Sequence, residues 1–383
     1  MTKSIYKKDN SFSGLSGIDN NTEELLARIR RLQCQLDTIN MPPHQLNVIR
    51  SACEDLLSGV ENTQKVFWLR PHIIAEIRLL SDENLPRYLY YRYRYDQNPT
   101  NFVTDKFPPC VQIEPTSVCN YRCVFCYQTD PRLQDRKAGH KGRMSVDTFK
   151  QVIDQIEGEV EAVTLASRGE PLVAKGIEEM LAYAAGKFLG LKINTNAWYL
   201  DEKKAHAILQ AEPNTLVFSA DAADAELYAK LRVNGKLERV LENVRKFSEI
   251  REKHYPKSSI ITRVSGVKTS DQQDFSSIEG FWKEYVDQVA FVDYNPSHGG
   301  GFYDGEQSGV NAPCSELWRR TFVWWDGRVN PCEVDYLSSL SMGNIHDTSL
   351  TEIWQGDEYE ALRTEHLKGA RSESKICKSC FVV

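Results

Sequence analysis

From Cys110 onward, short apolar runs typical of strands alternate with amphipathic helical segments, and this alternation narrows the choice of fold more than any other feature. Strands that alternate with helices build a parallel sheet. Six such units are fewer than a closed eight-stranded barrel needs, so we predict an α/β fold with an open, partial (βα)6 barrel and chemistry at the carboxyl ends of its strands. The predicted strands are CVQIEP, EAVTLAS, LKINTN, TLVFSA, IITRVSG and VAFVDYN.

The helices between these strands carry clear signals of their own. In SVDTFKQVIDQI, Ser145 can cap the first turn, and the apolar residues recur at helical spacing. Phe149, Val152 and Ile156 then share one face, which predicts a helix packed on the sheet.

The segments that flank these units predict a helical N-terminal extension and a small cysteine-bearing C-terminal domain. The first residues are rich in Ser, Asn, Gly and Lys, and Leu25, Leu26, Ile29, Leu32 and Leu36 follow at helical spacing. Further helices are expected near His44 to Leu57 and Val66 to Leu80. The predicted divisions are a disordered 1–20, a helical 21–105, a barrel over 106–300 and the cysteine-bearing domain over 301–383.

Two connecting segments have unusual composition. LPRYLYYRYRYDQ interleaves tyrosines with arginines, which suits stacking on bases or sugars, or the packing of tyrosines on the barrel beside solvated arginines. We favour the packing interpretation, because the run is short and the whole chain is acidic. HGGGFYDGEQSG reads as a flexible linker that leaves the barrel.

Charge and hydropathy exclude several kinds of partner. A formal net charge of −6 gives no basic field for a nucleic-acid backbone, so we expect no nucleic-acid partner. No stretch approaches about eighteen consecutive apolar residues, and the start MTKSIYKKDN lacks the apolar core of a secretory signal. We expect a cytoplasmic protein without a membrane partner.

Ten cysteines in such a chain indicate metal binding or catalysis rather than disulfides. Cys119, Cys123 and Cys126 form a C-x3-C-x2-C loop directly after the first predicted strand. A 4Fe-4S cluster is saturated by four ligands, so three cysteines leave one iron open to a cofactor or substrate. A structural zinc site is the alternative, but zinc needs a fourth ligand nearby. The isolated Cys34, Cys53 and Cys110 are expected to be small buried hydrophobic residues.

The triplet, with the aromatic Phe125 before its last cysteine, resembles the radical S-adenosylmethionine (SAM) superfamily. The resemblance covers about residues 110 to 300 and implies that Phe125 lies near the adenine. After the second strand, Ser167-Arg168-Gly169-Glu170-Pro171 looks like the Gly-Gly-Glu-Pro signature of that family, which implies that Glu170 and the backbone of Gly169 hold the methionine ammonium. Arg168 departs from the signature, because the family has a glycine there.

Polar residues at other strand ends fit the same cofactor by position. Ser219 or Asp221 suits the ribose hydroxyls, and Arg263 suits the methionine carboxylate. Arg263, Asp293 and Tyr294 are the candidate catalytic residues. The predicted cofactor-binding set is Phe125, Gly169, Glu170, Asn194, Asn196, Ser219, Asp221 and Arg263. The wider candidates for a substrate acid or base are Asp293, Tyr294, His298, Glu333 and Asp335.

Four C-terminal cysteines, Cys314, Cys332, Cys377 and Cys380, look like the auxiliary-cluster domain of the same family in its short form, called SPASM or twitch. The resemblance implies that residues 301–383 form a small C-terminal iron-sulfur domain that holds an auxiliary cluster. Four ligands saturate one 4Fe-4S cluster, so this cluster suits electron transfer or structural closure. A four-cysteine zinc site has the same ligand count and is the alternative.

The resemblance implies that an electron entering the first cluster cleaves SAM to a 5'-deoxyadenosyl radical, which abstracts hydrogen from a substrate. The spacing of the C-terminal cysteines resembles that of a radical aminocyclitol dehydrogenase, which implies oxidation of a small sugar, sugar nucleotide or aminocyclitol. Modification of a ribosomally made peptide is the second hypothesis, and a non-catalytic electron-transfer protein is the third. The implied partners are the substrate and an electron donor such as flavodoxin or ferredoxin.

Overall fold

The computed structural model describes residues 21–61, 66–269, 271–299, 302–374 and 376–383. The predicted disordered N-terminus therefore lies outside the described residues.

The helices are α1 (Glu23–Gln35), α2 (Pro43–Leu57), α3 (Pro71–Leu79), α4 (Leu85–Asn101), α5 (Pro131–Gln134), α6 (Val146–Ile156), α7 (Ile177–Ala184), α8 (Glu202–Ala211), α9 (Ala225–Leu231), α10 (Leu237–His254), α11 (Phe275–Trp282), α12 (Glu316–Arg319), α13 (Leu350–Gln355) and α14 (Asp357–Leu367). The strands are β1 (Cys110–Ile113), β2 (Ala162–Leu165), β3 (Gly190–Thr195), β4 (Thr215–Ser219), β5 (Ile261–Lys268), β6 (Gln288–Asp293), β7 (Arg320–Val323), β8 (Arg328–Asn330) and β9 (Gly343–Asn344).

The described strands form one sheet in the order β6-β5-β4-β3-β2-β1-β7-β8-β9. Strands β1 to β6 are parallel neighbours in chain order, and each coincides with a strand that the sequence predicts. This arrangement confirms the mixed α/β fold with a parallel sheet at its core. It also places the polypeptide that follows each strand at one edge of the sheet.

Apolar helix faces cover this sheet, as the helical periodicity predicts. Ser145 accepts a hydrogen bond from the Thr148 amide at 3.0 Å, which caps α6. Phe149, Val152 and Ile156 of that helix are fully buried in the main core. The packing fixes the direction of the loops that carry polar residues at the strand ends.

The C-terminal region is joined to the sheet rather than appended to it. Strand β7 pairs in parallel with β1, with Cys110 beside Arg320 and Ile113 beside Val323. Strands β8 and β9 continue the sheet in antiparallel pairs. The sequence does not predict β7, because RTFV is too short for a recognisable alternation.

The N-terminal helices α1 to α4 pack around a second core that includes Ile29, Ile49 and Ile73. Helix α4 contains the tyrosine- and arginine-rich segment. Its tyrosines pack as expected, but the expectation of solvated arginines is wrong, because Arg92 is only 8% exposed and Arg94 only 3%. Within the described residues, no helix is both long and apolar enough to cross a bilayer.

The structure also corrects two smaller predictions, one on the isolated cysteines and one on the linker. Cys53 and Cys110 are buried as predicted, but Cys34 is exposed on α1, because it lies off the apolar face of that helix. The predicted linker is packed where the structure describes it. Phe302 is buried, and the Tyr303 hydroxyl donates to Asp335 at 2.6 Å.

Candidate active site

The loop after β1 brings the three cysteines of the triplet to one cavity at the carboxyl ends of the strands. We call this space the cluster cavity; it measures about 290 Å³. Its lining contains most of the predicted site residues and includes Gln112, Cys119, Cys123, Phe125, Cys126, Ser167, Gly169, Glu170, Asn194, Asn196, Ser219, Arg232, Ser265, His298 and Glu333.

Cys123 of the triplet is buried, and Cys119 and Cys126 are partly buried. Burial raises the pKa of Cys119 to about 12 and also raises the pKa values of Cys123 and Cys126. Arg232 lies 3.9 Å from the Cys123 sulfur and favours its thiolate. Iron binds the thiolate form, so a cluster releases protons from these groups when it binds. Among the described residues, no three His, Cys, Asp or Glu side chains stand close enough to hold a single metal ion.

The Glu170 carboxylate joins the ends of two neighbouring strands. It accepts hydrogen bonds from the Leu172 amide at 3.1 Å, the Thr195 hydroxyl at 2.6 Å and the Asn196 amide at 2.7 Å. Burial raises the pKa of Glu170, and these hydrogen bonds oppose the rise. A carboxylate offers about four acceptor positions, so one stays available for a donor in the cavity.

Gly169 and Arg168 shape the segment before Glu170. A Cβ on Gly169 would lie 2.1 Å from the Thr116 carbonyl oxygen, so only glycine fits this approach of two loops. The Arg168 side chain is fully buried. It forms a two-pronged ion pair with Glu114, at 2.7 and 2.6 Å, and donates to the Tyr336 carbonyl at 2.9 Å. Arg168 therefore replaces the glycine of the family signature with a structural cation.

Two buried polar atoms fit a polar cofactor in the cluster cavity. Within the described part of the chain, the Asn194 Oδ1 and the Ser167 Oγ have no hydrogen-bond partner. Buried polar atoms are rarely left without a partner, so a ligand that completes these bonds is expected. With the three thiols and Glu170, the lining matches the donors and acceptors that a cluster and SAM require.

The remaining predicted cofactor residues differ in their surroundings. Asn196 donates to the Asn120 side chain at 2.9 Å, and Ser219 faces the cavity. Asp221 does not line the cavity: it is fully buried, accepts from the Val267 amide at 2.6 Å and pairs with Arg232 at 2.6 Å. Its position supports Arg232 rather than a direct contact with ribose.

Sequence reasoning missed Arg232. Its guanidinium is buried between Asp221 and the Phe125 ring, whose centre lies 5.5 Å away. It stands far from the triplet in the sequence and belongs to no short motif. A buried arginine after a strand-and-helix unit gives no signal that sequence alone can separate from a surface arginine.

The three candidate catalytic residues do not meet at the cluster cavity. Both Nε and Nη2 of Arg263 donate to Gln288 Oε1, at 2.9 and 2.6 Å, and the side chain faces a second cavity that adjoins the cluster cavity from below. Asp293 is exposed and lies 3.5 Å from Lys268. Tyr294 is half-buried, and burial raises its pKa, with the nearby Cys126 as a second cause.

The four C-terminal cysteines line a second, small cavity of about 30 Å³, which we call the auxiliary cavity. Burial raises the pKa of Cys314 to about 11 and that of Cys377 to about 12. Arg371 is buried beside them and donates to the Cys380 carbonyl at 3.1 Å. A four-thiolate cluster carries net negative charge, so the donor set and this cation fit it.

Glu333 follows directly after Cys332 and lines both the auxiliary and the cluster cavities. Its carboxylate lies 3.5 Å from His298 Nε2 and accepts a hydrogen bond from the Gln112 side-chain amide at 3.4 Å.

Asp335, another candidate acid or base, is fully buried. Its carboxylate accepts hydrogen bonds from the Tyr303 hydroxyl and from two backbone amides, so its role is structural.

Comparison with known families agrees with this geometry. Residues 113–272 match the radical SAM superfamily, so this part of the chain is a radical SAM domain. Residues 314–381 match SPASM, an iron-sulfur cluster-binding domain, which confirms the predicted auxiliary region. These domains imply SAM and 4Fe-4S clusters as cofactors.

Individual relatives are distant. The S-adenosyl-L-methionine-dependent 2-deoxy-scyllo-inosamine dehydrogenase of Niallia circulans is 22% identical over 286 residues, which cover 72% of this chain and 94% of the relative. A GTP 3',8-cyclase of Listeria welshimeri is 26% identical over 189 residues, which cover 49% and 54%. The solved structure of Streptococcus suis SuiB, bound to its precursor peptide SuiA, superposes with a TM-score of 0.55 at 16% identity, covering 73% and 72%. At this identity, the similarity to SuiB shows a shared fold and nothing more.

Proposed function

We propose that this enzyme oxidises an alcohol carbon of a small carbohydrate-like substrate, with Cys119, Cys123 and Cys126 binding the SAM cluster. Cys314, Cys332, Cys377 and Cys380 bind the auxiliary cluster in this proposal. The observation that carries it is the position of Glu333, which borders both cysteine-lined cavities and the cavity beneath them. A group at this junction can reach the substrate and adjoins the predicted electron acceptor.

When bound, SAM and the two clusters supply a 5'-deoxyadenosyl radical and an acceptor for one electron. Oxidation of a CH–OH group to a carbonyl then removes a hydrogen atom, a proton and an electron. Glu333 accepts the hydroxyl proton, and His298 Nε2 lies 3.5 Å from its carboxylate. Glu170 and Asn194 orient SAM through their remaining acceptor positions.

Three features support a small substrate. The cavity beneath the cluster cavity measures about 260 Å³, slightly below the usual range for small-molecule sites. The described residues before β1 form helices and contain no strand to pair with a peptide leader. In addition, the Niallia circulans relative is a dehydrogenase of a small cyclitol by name.

The first experiment counts iron and sulfide after anaerobic reconstitution. We expect about eight irons per chain for two 4Fe-4S clusters, and about four in each of Cys123→Ala and Cys332→Ala. SAM cleavage to 5'-deoxyadenosine by dithionite-reduced protein should disappear in Cys123→Ala. The exposed Cys34→Ala is the matched control and should keep both iron content and cleavage.

Wild-type protein with about four irons, all lost in Cys123→Ala, would contradict the auxiliary cluster. Failure of the reduced wild type to form 5'-deoxyadenosine would contradict the proposed chemistry itself. Incubation with sugars and sugar phosphates deuterated at carbon tests the substrate class, because abstraction transfers deuterium into 5'-deoxyadenosine.

A further inference from the structure

A cavity of about 260 Å³ lies beneath the cluster cavity, between the sheet and the N-terminal helices. Inward-facing residues of β1, β3 and β5 form one wall, and residues of α4 and the segment before it form another. We call it the cationic cavity. It shares Gln112, Asn194, Ser265 and Glu333 with the cluster cavity, so a single ligand can extend from one to the other.

Positive charge dominates the lining of the cationic cavity. Its cations are Arg70, Arg92, Lys192, Arg263, Arg319 and Arg320. Asp96 and Glu333 are the carboxylates of the described lining, and Glu316 and Glu76 stand behind it. Among the described residues, six cations therefore face four carboxylates, which is a surplus of two positive charges within that set. A surplus of this size in a buried space is costly without a bound anion.

Most of the arginines are held in place by the protein. Arg92 lies 3.4 Å from Asp96, and Arg319 and Arg320 lie 3.5 and 3.2 Å from Glu316. Their orientation is thus fixed before a ligand arrives, which lowers the entropic cost of binding.

Lys192 is different. On β3 its side chain points into the cavity, and it has no hydrogen bond or ion pair with any residue that the structure describes. Burial, followed by the charge of Arg320, lowers the pKa of Lys192 to about 8. Burial and Arg92 similarly lower the pKa of His72, so His72 adds no positive charge at neutral pH.

We propose that the cationic cavity binds a phosphate group of the substrate, with Lys192 and Arg263 as its principal contacts. This inference rests on the proposed function and narrows the substrate to a phosphorylated sugar or sugar nucleotide. A phosphate dianion matches the surplus of two charges, whereas an amino sugar without phosphate would bring a like charge into the cavity. The phosphate end lies in the cationic cavity, and the sugar carbon extends toward Glu333 and the cluster cavity.

The test is isothermal titration calorimetry on the reconstituted full chain in phosphate-free buffer, without SAM or reductant. The probes are inorganic phosphate, glucose 6-phosphate and glucose. We expect both phosphate probes to bind and glucose to bind at least about tenfold more weakly. Lys192→Met and Arg263→Gln should each weaken phosphate binding by about tenfold or more, and the exposed Lys253→Met should leave it unchanged.

A second measurement needs no substitution in the cavity. Brief acetylation of the wild type with acetic anhydride, read by peptide mass spectrometry, should modify Lys192 at least about threefold less when inorganic phosphate is present. Lys253 should be modified equally with and without phosphate. The inference is overturned if neither phosphate probe binds. It is overturned equally if the wild type binds phosphate without protecting Lys192.

The same preparation, reduced and given SAM without substrate, reports 5'-deoxyadenosine formation. Cleavage of SAM without phosphate binding would overturn this inference alone. Phosphate binding without cleavage of SAM would overturn the proposed function and leave the anion site in place.

Discussion

Arg168 and Glu114 form a fully buried ion pair with two hydrogen bonds, of 2.7 and 2.6 Å, directly beneath the loop that carries the cysteine triplet. The pair joins the end of β2 to the end of β1. Arg168 also donates a hydrogen bond to the backbone carbonyl of Tyr336 in the C-terminal region. The Tyr336 ring in turn stacks on the Tyr127 ring, with 5.1 Å between the ring centres. One cation thus connects the two predicted cluster regions.

Arg168→Met should destabilise the protein by about 3–5 kcal/mol, because it leaves the buried Glu114 carboxylate without its countercharge. Chemical denaturation followed by circular dichroism measures this loss. The double variant Glu114→Gln with Arg168→Met should recover part of it, since no unpaired charge remains. A double variant less stable than Arg168→Met would contradict this account.

Glu333→Gln should keep SAM cleavage but lower substrate oxidation by about 10²–10⁴-fold, because the amide cannot accept the hydroxyl proton. The measurement compares 5'-deoxyadenosine with oxidised product in the same reaction. Glu306→Gln removes an exposed carboxylate from the neighbouring segment and should leave both yields unchanged. Equal losses of both yields in Glu333→Gln would show that Glu333 acts on the cofactor instead.

Anion binding should weaken as the pH rises through about 8. The pKa of Lys192 is lowered from 10.5 to about 8 in the folded protein, so the ammonium is present below this pH and lost above it. Sulfate is the suitable probe, because its own charge is constant between pH 7 and 9. Calorimetry should find weaker sulfate binding at pH 9 than at pH 7.

Lys192→Arg is the control for this pH dependence, because a guanidinium keeps its charge at pH 9. Its sulfate affinity should be nearly the same at both pH values. The same loss at pH 9 in both proteins would assign the pH dependence to another group.

Gly169→Ala should abolish SAM binding and lower the melting temperature, because its Cβ would press against the Thr116 and Val118 carbonyl oxygens at 2.1 and 2.7 Å. Gly280→Ala, inside α11, has open space around its Cβ and should raise helix stability by about 0.5–1 kcal/mol. Thermal melting and equilibrium dialysis with labelled SAM separate these effects. Unimpaired SAM binding by Gly169→Ala would contradict the close approach of the loops.

The sequence was sufficient to predict the six parallel strands and the two cysteine sets, since both follow from local patterns. Each strand is a short apolar run between turn residues, and each cysteine set has a recognisable spacing. The positions of Glu170 and Asn194 at one cavity then follow from parallel strands, whose carboxyl ends share an edge.

The cationic cavity could not be predicted from the sequence, because its charged residues lie in segments that are far apart along the chain. Arg70, Lys192 and Arg320 belong to a loop, a central strand and the C-terminal strand β7, and no local pattern relates them. Helix α4 shows the same limit. Alternating Tyr and Arg residues predict an amphipathic surface, whereas the sheet beneath buries Arg92 and Arg94.

The pairing of β7 with β1 has a consequence for synthesis on the ribosome. On the side of β1 that pairs with β7, the backbone N–H and C=O groups have no strand to pair with until residues 320–323 have left the exit tunnel. A nascent chain that ends after β6 therefore exposes an unpaired strand edge next to the cysteine loop. Emergence of residues 320–323 closes that edge, so the surroundings of the first cysteine set are complete only after β7 has been synthesised.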